Sequence, residues 1–401
     1  MKLLRLLFFL SLSIAFNADA QVKIIPFANY VNVRGGINHS YYAFTIQKKA
    51  TVAFLGGSIT YNSGWRNKVC NYLKDRYPQT DFHFIAAGIP SLGSLPHSFR
   101  LKFDVLDSGK IDLLFLEAAV NDEANGTDSL VQVKALEGII RQARKSNPSI
   151  DIIMMSFADP GKTKAYDEGK IPTSVANHEL VATHYRLPSI NLAKAVRDKM
   201  RNDEFDWNKD FKDLHPSPFG QELYFNAIKE LFSETETVFR RQVMVKKHAK
   251  LPKPLTPKNF SDGNYLDIKL AEYDKGWKLD NDWTPEDHIG TRAGFVNVPV
   301  LSSASPGAVL KLKFKGNAIG MAILSGADAG IVNYRIDNGP EKQLDLFTQW
   351  SPSLHLPWYV LFGGDLKNGK HELTISISPN KNSNSKGNAC RIVHFLVNGT
   401  Q

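Results

Sequence analysis

Thr51-Val-Ala-Phe-Leu55-Gly56-Gly57-Ser58-Ile59-Thr60 decides the fold class of the N-terminal half. Residues 51–55 form a short apolar run of buried-strand type, and two glycines end it. The following segment, Trp65 to Tyr77, has helical spacing, with Val69, Tyr72 and Leu73 on its inner face. Similar runs recur at Asp81-Phe-His-Phe-Ile85, Ile111-Asp-Leu-Leu-Phe-Leu116 and Asp151-Ile-Ile-Met-Met155. Helical patterns lie between and after them, at about 130–146, 174–186 and 219–232. Strands alternating with helices predict an α/β unit with a parallel sheet covered on both faces.

The C-terminal region has a different texture. Phe295-Val-Asn-Val298, Ala308 to Phe314, Ile331 to Ile336 and His371 to Ile377 alternate apolar and polar residues, with turn signals such as Asp337-Asn-Gly339 between them. This predicts an all-β, jelly-roll-type sandwich. The expected division is a leader at 1–20, a lead-in at 21–49 with no assignable role, an α/β domain at 50–245, a linker at 246–264 and a sandwich at 265–401.

With 43% hydrophobic and 22% charged residues, the chain is neither disordered nor fibrous. Two cysteines among 401 residues exclude a disulfide scaffold and a Cys-rich metal protein. Two separately buried thiols at Cys70 and Cys390 are expected over an interdomain disulfide. Lys2 and Arg5, the apolar run Leu6 to Phe16 and Ala18-Asp19-Ala20 read as a secretory signal cleaved after Ala20, which predicts a secreted or periplasmic protein that leaves the membrane after cleavage. The net charge of +9 is dispersed, apart from a basic stretch from Arg240 to Lys253 that runs into prolines. No nucleic-acid module accompanies that stretch, so no nucleic-acid partner is expected. The oligomeric state is not legible.

Ser58 lies where a strand turns into a helix, a position where backbone N–H groups and the helix dipole favour developing negative charge. Gly88, in Ala86-Ala87-Gly88-Ile89-Pro90, follows the second strand and offers a closely approachable N–H. Asn121, in Glu117-Ala-Ala-Val-Asn121-Asp122, follows the third and offers a side-chain amide to an oxyanion. His215, in Asp213-Leu214-His215-Pro216, precedes a helix and can accept the Ser58 proton, with a nearby Asp to orient it.

This ordered set resembles the four blocks of the SGNH hydrolases, the GDSL-like esterase superfamily, over about residues 50–235. The resemblance implies a flavodoxin-like three-layer domain that hydrolyses esters through an acyl-enzyme, without a cofactor or metal. By it Ser58 is the nucleophile, His215 the general base, and the oxyanion hole the N–H groups of Ser58 and Gly88 with the Asn121 side chain. Two positions depart from the family pattern. Ala119 stands where a glycine is usual, and Lys212 stands where the orienting Asp is usual, three residues before the His. Asp213 is the expected substitute; a backbone carbonyl holding the imidazole and Asp210 are the alternatives.

Trp65 and Arg66 are candidates for the substrate cleft, with a helix-surface role as the alternative. Gly161-Lys162-Thr163 resembles the end of a phosphate loop, but Ser156 occupies the position of its first glycine. An SGNH domain with a C-terminal sandwich resembles secreted carbohydrate esterases. The resemblance therefore implies an acylated carbohydrate as substrate and loss of O-acetyl or similar small acyl groups. A lipid or aryl esterase, and a glycan-binding protein with a degenerate hydrolase domain, are the competing expectations. Trp277, Trp283, Trp350, Trp358 and Tyr359 are available to stack on sugars or to fill the sandwich core.

Overall fold

The computed structural model describes residues 23–240 and 250–399. The expected leader, and most of the basic stretch after Arg240, lie outside the described residues. The N-terminal half runs β1 Val31–Asn32, α1 Asn38–Tyr42, β2 Lys49–Gly56, α2 Ser58–Tyr61, α3 Trp65–Arg76, β3 Asp81–Gly88 and α4 Ser94–Asp104. It continues through β4 Leu113–Glu117, α5 Ala119–Ala124, α6 Ser129–Ser146, β5 Asp151–Ser156, α7 Pro160–Asp167 and α8 Thr173–His184. It closes with β6 Ser189–Asn191, α9 Leu192–Arg201 and α10 Pro218–Arg240.

The sheet order is β1-β6-β5-β4-β2-β3, with β2 to β6 parallel and β1 antiparallel on β6. Without β1 this is the flavodoxin-like order, and its switch point lies between β2 and β4. The lead-in thus has a structural role, supplying the edge strand through Val31 opposite Ile190. Side chains alternate across the sheet into two cores. Val52, Phe54 and Phe115 face α3 and α10, while Ala53, Leu55 and Leu116 face α4, α6 and α8.

The C-terminal half is antiparallel throughout its sheets. Its strands are β7 Gly263–Leu266, β8 Glu272–Tyr273, β9 Lys278–Trp283, β10 Val298–Ser303, β11 Val309–Gly316, β12 Ala318–Ser325, β13 Ile331–Ile336, β14 Lys342–Asp345, β15 Leu356–Gly363, β16 Gly369–Ile377 and β17 Cys390–Asn398. One sheet has the order β15-β12-β17-β10-β9 with β7 also on β17, and the other the order β14-β13-β16-β11-β8. Met321, Ile323 and Phe395 of the first sheet pack on Leu310, Val332 and Leu373 of the second, making a sandwich core. The strand expected at 295–298 starts only at Val298, because Asn297 sits at φ 56° in a turn.

The first sheet packs its outer face on the α/β domain. Ala318, Ala322, Tyr359 and Leu396 meet Leu95 and Phe99 of α4, with Phe260 between them. From residue 250 on, the expected linker is fastened down. The backbone N–H groups of Leu255 and Thr256 each donate to the Glu137 carboxylate at 2.7 Å, and Phe260 is fully buried. Cys70 and Cys390 are separate thiols. Among the described residues no helix is long and apolar enough to cross a membrane.

Candidate active site

The β2–α2 turn, the end of β3, the end of β4 and the loop before α10 converge at the carboxyl edge of the parallel sheet. Ser58 is the first residue of α2, so the N–H groups of that first turn have no partner within the helix. His215 accepts from it, with Nε2 2.8 Å from Ser58 Oγ.

Two glycines make the close approaches possible. A Cβ on Gly57 would lie 2.0 Å from Asn121 Nδ2, so the amide rests directly against the turn that carries Ser58. A Cβ on Gly88 would lie 2.4 Å from the backbone N of Tyr61, so the end of β3 rests against α2. Gly56 and Gly88 are register partners on β2 and β3. The structure therefore brings Ser58, Gly88, Asn121 and His215 together. One Asn121 amide hydrogen goes to the Leu92 carbonyl at 3.1 Å; the second is free to point elsewhere.

Asp213 sits differently from an orienting carboxylate. Its Oδ1 accepts the backbone N–H of His215 and lies 3.8 Å from the ring Nδ1, beyond hydrogen-bond reach. Both side chains are exposed. Lys212 is at φ 81°, in the left-handed region that costs an L-residue strain. The loop is anchored by Phe211, which is fully buried and stacked on Trp207 at 4.7 Å. Asp210 is engaged elsewhere, accepting the Asp206 N–H at 2.8 Å.

Of the two cleft candidates, Trp65 does not line the opening. Trp65 is fully buried between Phe54, Phe115 and Phe157, and its indole N–H donates to the Ile59 carbonyl at 3.2 Å. The reason is helical phase, since Trp65 sits on the same inner face of α3 as Val69 and Leu73. Arg66 turns back onto the end of α2, donating to the carbonyls of Thr60 at 3.0 Å and Tyr61 at 3.4 Å. Of the five candidate sugar platforms, Trp277, Trp283 and Tyr359 are buried, Trp358 is half-buried and Trp350 is exposed.

Beneath the site lies a set of buried charges that sequence reading gave little weight. Glu117 and Asp122 flank Asn121, and burial pushes each carboxyl up to about 7, Asp122 helped by the Glu117 charge. Asp122 Oδ1 accepts from Ser94 N at 2.7 Å and Ser94 Oγ at 2.9 Å. Lys162 is fully buried and paired with Asp159 at 2.5 Å, which explains the lysine without any phosphate. Arg100 on α4 is fully buried as well. The β-sandwich also reaches the site's border, where Arg292 Nη2 meets Ser91 Oγ at 3.4 Å. Among the described residues no three His, Cys, Asp or Glu side chains group as metal ligands would.

Comparison with known proteins fits this geometry. Residues 54–223 match the GDSL-like Lipase/Acylhydrolase family. A two-domain esterase active on acetylated mannans, crystallised with mannopentaose, superposes at TM-score 0.76 with 19% identity over 94% of this chain and 99% of its own. A second structure of a two-domain esterase active on acetylated mannans gives 0.74 and 18% over 94% and 100%. An acetylxylan esterase from Geobacillus stearothermophilus aligns with 45% of this chain and 93% of its own, at 16% identity and TM-score 0.35. No curated protein matches by sequence. The two-domain arrangement is thus shared from end to end with a solved structure, and residues 54–223 of this chain form a GDSL-like lipase/acylhydrolase domain, that of a carboxylic ester hydrolase.

Proposed function

We propose that the protein removes O-acetyl, or similarly small, acyl groups from carbohydrate, with Ser58 as nucleophile and His215 as general base. The observation that carries this reading is the 2.8 Å contact from His215 Nε2 to Ser58 Oγ at a turn flanked by Gly88 and Asn121. Ser58 Oγ forms a bond to the ester carbonyl carbon as its proton passes to His215 Nε2. The tetrahedral oxyanion is held by the N–H groups of Ser58 and Gly88 and by the Asn121 amide. Its collapse breaks the bond to the sugar oxygen, which takes the proton from His215. Water, deprotonated by His215, then attacks the acyl-enzyme, and Ser58 leaves with the proton as the acid is freed. No step needs a cofactor or a metal.

Asp213 serves this cycle through the backbone, holding the turn on which His215 rests while its charge stays 3.8 Å from the imidazole. The working unit is therefore a Ser–His pair on an Asp-stabilised turn. The carbohydrate assignment is supported by the whole-length likeness to an esterase active on acetylated mannans. We also propose export, with cleavage after Ala20; a mature N-terminus at Gln21 in protein recovered outside the cytoplasm checks this.

The test is acetate release from acetylated mannan and xylan, and hydrolysis of p-nitrophenyl esters of rising chain length, by wild type beside Ser58→Ala and His215→Ala. Release from the glycans by wild type only, with acetate the best aryl ester, is the expected result. A preference for long acyl chains turns the assignment to a lipid esterase. A folded wild type that binds acetylated glycan but releases nothing turns it to a glycan-binding protein.

A further inference from the structure

All three proposed oxyanion donors refer to one helix, α4. Arg100 on that helix has a fully buried side chain. Its Nη2 donates to the Ala87 carbonyl at 2.5 Å and to the Gly56 carbonyl at 3.3 Å, and its Nε to His97 Nδ1 at 3.1 Å. Nη1 pairs with Asp104 at the outer end of the same helix.

The Ala87 carbonyl and the Gly88 N–H belong to a single peptide unit. In a planar trans peptide they point in opposite directions. A cation fixed on the oxygen therefore aims the N–H away from itself. It also polarises the unit, because a charge-assisted hydrogen bond to C=O strengthens the N–H as a donor. The same guanidinium holds Gly56, whose carbonyl also accepts the Ile89 N–H at 3.0 Å, so β2 and β3 are pinned to each other just before the Ser58 turn.

The other end of α4 is tied to the third donor. Asp122, next to Asn121, accepts both Ser94 N and Ser94 Oγ at the start of α4, and Asn121 Nδ2 donates to Leu92 just before it. Phe99 of α4 is covered by Phe260 and by the first sheet of the sandwich, which helps keep the Arg100 pairing dry. A low dielectric makes each of these bonds stronger.

We propose that Arg100 is a positioning residue for ester hydrolysis. It aims and polarises the Gly88 N–H, so that α4, clamped under the β-sandwich, sets the oxyanion hole. This rests on the Ser58–Gly88–Asn121 reading above. A buried arginine is a poor device for stability alone, because apolar replacements of buried ion pairs are often as stable or more so. It earns its place here by geometry.

The experiment uses the full chain and p-nitrophenyl acetate, with active-site titration by diethyl p-nitrophenyl phosphate to count competent enzyme. Arg100→Lys keeps the cation but loses the planar fork. The expected result is a kcat per titrated site lower by about 30-fold, less than the loss of a whole donor. KM should stay within about 2-fold and the rate of phosphorylation of Ser58 should fall in parallel, since the effect acts on a charge that develops only in the transition state. Asp104→Asn, at the solvent end of the pair, is the second variant and should show the same split at about 3-fold. Either a folded Arg100→Lys with wild-type kcat, or a kcat that falls only in step with the titrated fraction, overturns the proposal. If Arg100→Lys does not fold, a wild-type kcat in Asp104→Asn overturns it. Activity surviving in Ser58→Ala instead sinks the underlying reading and leaves these outcomes recognisably different.

Discussion

The two sides of the Ser58 site are built in opposite ways. On the proposed oxyanion side Gly57, Gly88 and Asn121 are buried, and the polar groups behind them (Arg100, Glu117, Asp122) hold those loops through hydrogen bonds. On the base side His215 is exposed on a short loop, with left-handed Lys212 just before it and a carboxylate that reaches backbone rather than ring. The difference teaches where exactness matters. Hydrogen bonds to a developing charge lose strength steeply with misalignment, whereas a base needs only one contact at 2.8 Å and room to hand its proton on.

The largest effect tests both sides at once. Ser58→Ala and His215→Ala should each lower kcat for p-nitrophenyl acetate by about 10⁴-fold or more, with unchanged near-UV circular dichroism. If one falls far less than the other, the two sides do not act as one unit. Next, Asn121→Ala should cost about 10²–10³ in kcat with little change in KM, which steady-state kinetics will read directly.

A third prediction concerns the cost of rigidity. Glu117 is raised to about 7 by burial, so the folded state holds its proton where the unfolded chain has released it. Stability from this group is present below the model-peptide value of about 4.3 and is lost as pH rises toward 7. Glu117→Gln, which has no charge to bury, should therefore gain on wild type in unfolding free energy from pH 5 to pH 8, by on the order of 2–3 kcal/mol, read by denaturant titration. An equal difference at both pH values would mean that the Glu117 carboxyl does not ionise in this range. The smallest effect is on the loose side. Asp213→Ala should lower kcat by less than about 10-fold, against the 10⁴-fold loss for a triad carboxylate that fixes the tautomer. A triad-sized loss would show that the loop closes onto Nδ1 during turnover, and the contrast between the two sides would disappear.

The same contrast explains what the sequence revealed. Ser58 and Asn121 were legible because each follows a buried apolar run, and Gly88 because it ends a half-exposed strand; strand ends in a doubly wound sheet are where ligands bind. The role of Asp213 was not legible, since two residues of spacing do not say whether a carboxylate turns to the ring or to the chain. Trp65 was read as a cleft or helix-surface residue because distance from Ser58 along the chain hid its helical phase, which puts it in the core. Arg100 escaped because the partners that tie it to the site are backbone carbonyls of Gly56 and Ala87 on other elements, which leave no trace in a motif. In the second domain β11 and β16 show the alternation that was read. By contrast β12 is buried along its whole length and β17 almost so, because α4 covers the face that would otherwise meet water. Those strands lost their alternation to the domain contact, so the contact that hid them is also the one that braces the site.

The two cysteines have a use unrelated to catalysis. Cys70 lies in the α/β domain with its thiol pushed up to about 11 by burial, and Cys390 lies in the sandwich with its thiol pushed up to about 12. With one protected sulfur in each half and no disulfide between them, the native protein should resist alkylation at neutral pH while each opened half reacts. Timed alkylation followed by peptide mass analysis would then clock the opening of the two halves separately, one native thiol reporting on each.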